Sequence, residues 1–206
     1  MAQCPRAEFT AMIAGHFGFA ALVKSRRREV PLWALMLATA WLDIVFVPLF
    51  LAGIETIEPA PGTHGGYGAG IIHANYTHSL LGGLVLSAIL GVACGARWGR
   101  KSGAVVGFVA FSHWLLDLVV HRGDLPLLPG NAGHLPTLGF GLWRAPAAAM
   151  SVELALVVAG AWLYHRAARS ACLEARMATG RAAWVAALIL IGGAGVLALD
   201  VTSALG

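Results

Sequence analysis

The chain has 206 residues, 58% of them hydrophobic and only 12% charged, where a soluble domain carries about 25% charged residues. With a mean hydropathy of +0.75 and a net charge of +4, this excludes a disordered chain, a nucleic-acid-binding surface and an ordinary soluble enzyme. The length suits about six membrane-spanning helices of roughly 20 residues each.

Six apolar segments follow along the chain, at roughly 9–23, 31–53, 78–96, 103–121, 147–165 and 182–201. The first is short for a span. The second opens on Pro31, which suits the first turn of a helix. The runs are continuous rather than alternating, so spanning strands are excluded. The expected fold is all-α: a single transmembrane domain over residues 1–206, a polytopic bundle of about six helices.

The basic residues set the topology. Lys24, Arg26, Arg27 and Arg28 fill one gap between apolar runs, Arg97, Arg100 and Lys101 a second, and Arg166, Arg169, Arg176 and Arg181 a third. Only Arg6, Arg122 and Arg144 fall elsewhere. The three gaps must share one side, and the positive-inside rule makes it the cytoplasm. Both termini and the Gly/Pro-rich loops 54–77 and 122–146 then face outward. Cys4, Cys94 and Cys172 have no metal-binding spacing. Gly91/Gly95 and Gly103/Gly107 have the GxxxG spacing of closely packed helices.

A short repeat joins the first four segments. Gly15-His16 in the first matches Thr77-His78 in the third, with Leu and Val six and seven positions after each His. The following segments carry Trp41-Leu42-Asp43 and Trp114-Leu115-Leu116-Asp117. Each hairpin offers one His and one Asp, and two such hairpins packed together bring four ligand-type side chains into one place.

Ionisable residues inside spans are costly, and they face the bundle interior. His16, Asp43, His113, Asp117 and Glu153 lie within segments, and His78 and His121 at outer ends. No Lys or Arg sits mid-span to neutralise the acids, so a cation or shared protons must do so. His113, Asp117 and His121 are spaced i, i+4, i+8 and lie along one helix stripe. His113 and His121 are about 12 Å apart along the axis, so one of them supports the site or there are two ions. Imidazole plus carboxylate suits a divalent metal ion: zinc first, or iron or manganese. Metal ligands are expected from His16, Asp43, His78, Asp117 and His121. Catalytic roles are expected from His113, as general acid or base, and from Asp117. Arg122 and Glu153 are candidates for substrate binding. The plainer readings are an Arg122–Asp124 pair and an interhelical hydrogen bond from a protonated Glu153. Asp200 reads as interfacial, and His64, His73, His134 and His165 as loop or helix-end histidines. No GxSxG elbow accompanies Ser79 or Ser112, and no nucleotide-binding motif is present.

At Gly15-His16, Leu42-Asp43, Tyr76-Thr77-His78-Ser79-Leu80-Leu81-Gly82 and Ser112-His113 through Asp117 to His121, the chain resembles the YdjM-like family of predicted membrane-bound metal-dependent hydrolases. The resemblance covers roughly residues 12–130. It implies a polytopic bacterial membrane protein with a His/Asp metal site. The function expected is metal-dependent hydrolysis of a lipid or amphiphilic substrate at the outer face of the bacterial inner membrane, by metal-activated water. The lipid bilayer is the expected partner. A proton- or metal-coupled transporter using the same cluster is the alternative, and a purely structural metal site a third reading.

Overall fold

The computed structural model describes residues 13–62 and 67–202, with side chains up to residue 199. Cys4, Arg6, His64, residues 9–12 of the first expected span and the side chain of Asp200 lie outside it.

The described chain is mostly helical. The helices are α1 (Ile13–Arg26), α2 (Leu32–Thr39), α3 (Trp41–Leu51), α4 (Leu80–Trp98), α5 (Arg100–Val120), α6 (Pro146–Glu174) and α7 (Gly180–Thr202). Helices α4 to α7 are long and apolar enough to cross a membrane; α2 and α3 together make a fifth, bent by 44° at the break between them. These apolar helices fit a multi-pass membrane protein. The three basic gaps gather at one end. Arg28 lies 3.4 Å from Glu174, and Trp33 packs edge-on against Trp98 with ring centroids 5.5 Å apart.

The all-helical expectation needs one amendment. Segment 54–77 holds a small antiparallel sheet in which β1 (Thr56–Pro59) pairs with β2 (Gly70–His73), Thr56 opposite His73. Helix α6 also runs well past its expected end at residue 165. Ala, Arg and Leu after His165 are strong helix formers, so the helix continues after the apolar stretch stops.

Two helix pairs touch backbone to backbone. In α4 and α5 a Cβ at Gly91 would sit 3.0 Å from the Gly103 carbonyl oxygen and 3.2 Å from the Gly107 Cα. The GxxxG spacings of the sequence are therefore the α4–α5 crossing. Helices α1 and α6 meet through a pair the sequence did not mark. A Cβ at Gly18 would lie 2.5 Å from the Leu156 carbonyl, and one at Gly160 would overlap the carbonyl oxygen of Gly18.

Toward the basic end, α1, α2 and α5 enclose a dry cluster of Ala20, Val23, Val30, Leu35, Val106 and Val109, each at most 9% exposed. Beside the ionisable residues, Leu42, Trp114 and Leu125 form another apolar cluster.

Candidate metal centre

Four local features aim the polar side chains. First, the chain breaks at Ala40 (φ −95°, ψ 5°), so Asp43 falls in the first turn of α3. The Thr39 carbonyl at this break accepts from His113 Nδ1–H at 2.7 Å, and the Thr39 hydroxyl donates to the His16 carbonyl at 3.1 Å. Second, Ser79 caps α4, its Oγ accepting from Gly82 N–H at 3.0 Å. The exposed donors of Leu80 and Leu81 meet the carbonyls of Pro126 and Leu127 at 2.9 and 3.1 Å. Third, Trp114 Nε1–H donates to the His78 carbonyl at 2.9 Å. Each of these bonds fixes the segment before α4, where His78 sits. Fourth, the chain after α5 folds back, with the N–H groups of Phe140 and Gly141 reaching the carbonyls of Leu118 and His121.

The result is one cluster. His16, His78, His113, Asp117 and His121 are each 2–4% exposed, whereas the Asp43 side chain keeps 31% of its surface. His78 Nε2 and His113 Nε2 are 3.2 Å apart. Asp43 Oδ1 lies 3.5 Å from each of them. Asp117 Oδ2 lies 3.6 Å from His78 Nε2 and 3.2 Å from His113 Nε2. Two triangles thus share the His78–His113 edge. Ligand atoms held tetrahedrally at 2.0–2.1 Å from a zinc ion are about 3.3 Å apart, the spacing seen here. A second group of atoms within metal-binding reach joins His113 and Asp117 to His16.

The hydrogen bonds behind the imidazoles decide which nitrogen faces inward. His113 Nδ1 faces a backbone carbonyl, so it must donate, and in the neutral ring Nε2 is the nitrogen whose lone pair faces the cluster. His78 Nδ1 is 2.9 Å from Thr77 Oγ1. That hydroxyl donates to Glu55 Oε2 at 2.8 Å, so it accepts from His78, and in the neutral ring Nε2 again turns its lone pair inward. Two lone pairs and two carboxylates converging at this distance repel unless a cation or protons lie among them. Support of each ligating imidazole by an oxygen acceptor behind it is the usual construction of a metal site. His121 has the same support. Its Nδ1 lies 2.8 Å from Asp124 Oδ1, and Asp124 Oδ2 accepts from Ile72 N–H at 3.0 Å. Burial favours the neutral form of Asp124, yet the bonds from His121 and Ile72 outweigh it and hold the carboxyl below its usual range.

His16 is built differently. Its Nε2 lies 3.2 Å from Asp117 Oδ1, its ring stacks on that of His113 at 3.9 Å, and its buried Nδ1 has no partner among the described residues. This suits a donor that orients Asp117 better than a ligand. His113, expected as a catalytic group, stands in both candidate groups; His121, expected as a ligand, stands in neither. The His and Asp of the two hairpins pair crosswise, His16 with Asp117 and His78 with Asp43.

The two residues expected to bind substrate are engaged elsewhere. Arg122 donates to the carbonyls of Gly68 at 3.0 Å and Trp143 at 3.2 Å. Glu153 is fully buried; it accepts from Gly15 N–H at 3.1 Å and from the Tyr67 hydroxyl. Neither lines the cavity. Both tie the loop segments around Tyr67, Gly68 and Trp143, and α1, to the bundle, because a buried carboxylate or guanidinium needs every partner it can find. The plainer Arg122–Asp124 pair does not form either, since Asp124 faces His121.

Glu55 went unremarked in the sequence. It is fully buried, and its carboxyl accepts from Tyr76 N–H at 2.8 Å, Thr77 N–H at 3.0 Å and the Thr77 hydroxyl. Two N–H groups hold Oε1, so in a glutamine the NH2 falls opposite the Thr77 hydroxyl, which must then accept from it and donate to His78 Nδ1 instead of accepting. Glu55→Gln is expected to turn His78 and weaken zinc binding by about 10- to 100-fold, read by competition with a chelating dye. Unchanged affinity in the folded variant would remove Glu55 from the account.

The cluster floors a cavity of about 300 Å³. Its walls come from α3 (Phe46, Val47, Phe50), the β-hairpin (Ile57, Ile72) and Trp143. The site thus combines a charged floor with apolar walls inside an apolar helix bundle. Compared with protein-family models, curated proteins and solved structures, the chain gives no match. What fold and site together define is a class: an apolar helix bundle with a buried His/Asp cluster able to hold a metal ion.

Proposed function

We propose that this protein is a membrane-embedded, metal-dependent hydrolase of a lipid-like substrate. The observation that carries the reading is the pair of Nε2 atoms, each ring held by an oxygen acceptor behind it, facing two carboxylates under an apolar cavity. In this reading His78, His113 and Asp117 hold a divalent ion, zinc by the donor set and spacing. Such an ion, when bound, supplies Lewis acidity for activating water and polarising the scissile group. Asp43, the more open carboxylate, accepts a proton from the attacking water. His121, its Nδ1 committed to Asp124, passes a proton through Nε2 to the leaving group. Phe46, Phe50 and the hairpin isoleucines hold the aliphatic part and keep bulk water out.

The same reading makes α1 the sixth span, relates the α1–α3 and α4–α5 hairpins as a repeat, and turns the basic end to the cytoplasm. The cavity and both termini then face outward from a bacterial inner membrane. The YdjM-like resemblance implies a polytopic bacterial membrane protein with a His/Asp metal site, in line with this reading. The competing reading is a proton- or metal-coupled transporter, favoured by the intramembrane His and Asp residues. Against it stands the dry cluster around Leu35 and Val109, which fills the way to the basic end.

Proteoliposomes separate the two. Zinc-loaded protein incubated with a bacterial lipid extract is expected to release cleaved product, detected by mass spectrometry, without carrying zinc or protons across the vesicle wall. Ion flux with an unchanged lipid profile would establish the transporter instead.

A further inference from the structure

The cavity lining carries two carboxylates, Asp43 and Asp117, and no Lys or Arg among the described residues. Two more carboxyl groups stand one residue behind it, Glu55 behind Thr77 and His78, and Asp124 behind His121. The nearby cations face away: Arg122 is spent on two carbonyls, and Arg144 donates to the Arg122 carbonyl at 3.3 Å. A divalent ion offsets the two lining carboxylates and leaves no positive charge over.

This charge count bears on the substrate. A phosphate monoester brings roughly −1.5 to −2 charges; no lining Lys or Arg would receive them, the proton that His121 holds for the leaving group is offset by Asp124, and like charges repel strongly in such a site. A carboxylic ester or amide brings none. The walls are apolar, and about 300 Å³ is the lower end of ligand pockets, which run from about 300 to 1,000 Å³. That leaves room for one aliphatic chain beside the reacting group.

We infer that the substrate is an uncharged carboxylic ester or amide on an aliphatic chain, not a phosphate ester; this rests on the hydrolase reading. In the step, the water oxygen bonds to the carbonyl carbon and the bond to the alcohol oxygen or amine nitrogen breaks. One water proton goes to the leaving group and the other is released as the acid ionises. No oxidant or reductant is needed.

Two probes with the same chain test it. Zinc-loaded protein in detergent is titrated calorimetrically with dodecanamide, which stays uncharged when bound, and with dodecylphosphonate, which is charged. The amide is expected to bind at least about 100-fold more tightly, since juxtaposed like charges cost several kcal/mol and 1.4 kcal/mol is tenfold. Ile57→Lys, which puts a cation on the wall, is expected to narrow that gap. In parallel, monododecanoylglycerol, N-dodecanoylethanolamine and dodecyl phosphate are offered in mixed micelles, and the neutral pair is expected to be cleaved. Equal or tighter phosphonate binding, or cleavage of dodecyl phosphate alone, would overturn the inference and leave the hydrolase reading standing. Bound zinc with neither probe binding and nothing cleaved would overturn both.

Discussion

Asp117→Ala is expected to lower zinc affinity by more than about 100-fold, the upper range for losing a mere supporting partner. Its carboxylate touches three members of the cluster. Its Oδ2 lies 3.2 Å from His113 and 3.6 Å from His78, and its Oδ1 lies 3.2 Å from His16. Alanine removes a donor from one triangle and leaves the His16 imidazole without its acceptor deep in the bundle. Asp117→Asn separates charge from shape: it fills the same space but supplies one oxygen and an NH2 group. It is expected to fold and still bind zinc poorly. Isothermal titration of both variants beside the wild type measures this. Wild-type affinity in Asp117→Asn would show that the carboxylate does not hold the ion.

The second large effect comes from a residue that touches no ligand. Gly160→Leu is expected to collapse the yield of folded protein, with the melting temperature of what remains far below that of the wild type. A Cβ there lands on the Gly18 carbonyl oxygen, and neither backbone can yield without separating α1 from α6. Ordinary overpacking costs about 1–3 kcal/mol; a clash with backbone at a helix crossing is expected to exceed that. Because His16 is two residues from Gly18, any surviving protein should also bind zinc more weakly. The control is Gly192→Leu in α7, where a Cβ meets nothing within 4 Å and no change is expected. If both variants melted like the wild type, the α1–α6 contact would not be close.

The convergence of His16, Asp43, His78, His113 and Asp117 is readable in the sequence because polar side chains stand out against apolar helices. One His and one Asp stand in each of the two expected hairpins, which leads one to expect their meeting, and the basic gaps foretell that the connections share one end. Glu55 and Asp124 are different. Both sit in loops, where an acid is ordinary, and only the fold shows that each backs a histidine. Helical spacing alone cannot rank His113 against His121, because the ranking depends on Thr39, Asp43 and His78 from other segments. The bend at Ala40 has neither Pro nor Gly to announce it, so segment 31–53 reads as one span. The strands of the 54–77 loop are four residues long, too short for alternation to register. Arg122 and Glu153 look functional as isolated charges near the membrane, and the carbonyls, Gly15 N–H and Tyr67 hydroxyl that occupy them appear only in three dimensions.

The most direct test of a metal centre is the metal content of the detergent-purified protein, prepared without added chelator and measured by elemental mass spectrometry against protein concentration. Near-stoichiometric zinc, or iron or manganese in its place, is expected in the wild type, with most of it lost from His78→Ala. Folded wild-type protein carrying no such metal, and taking none up from solution, would contradict the account at its centre. The four inward-facing acceptors would then be held together by protons.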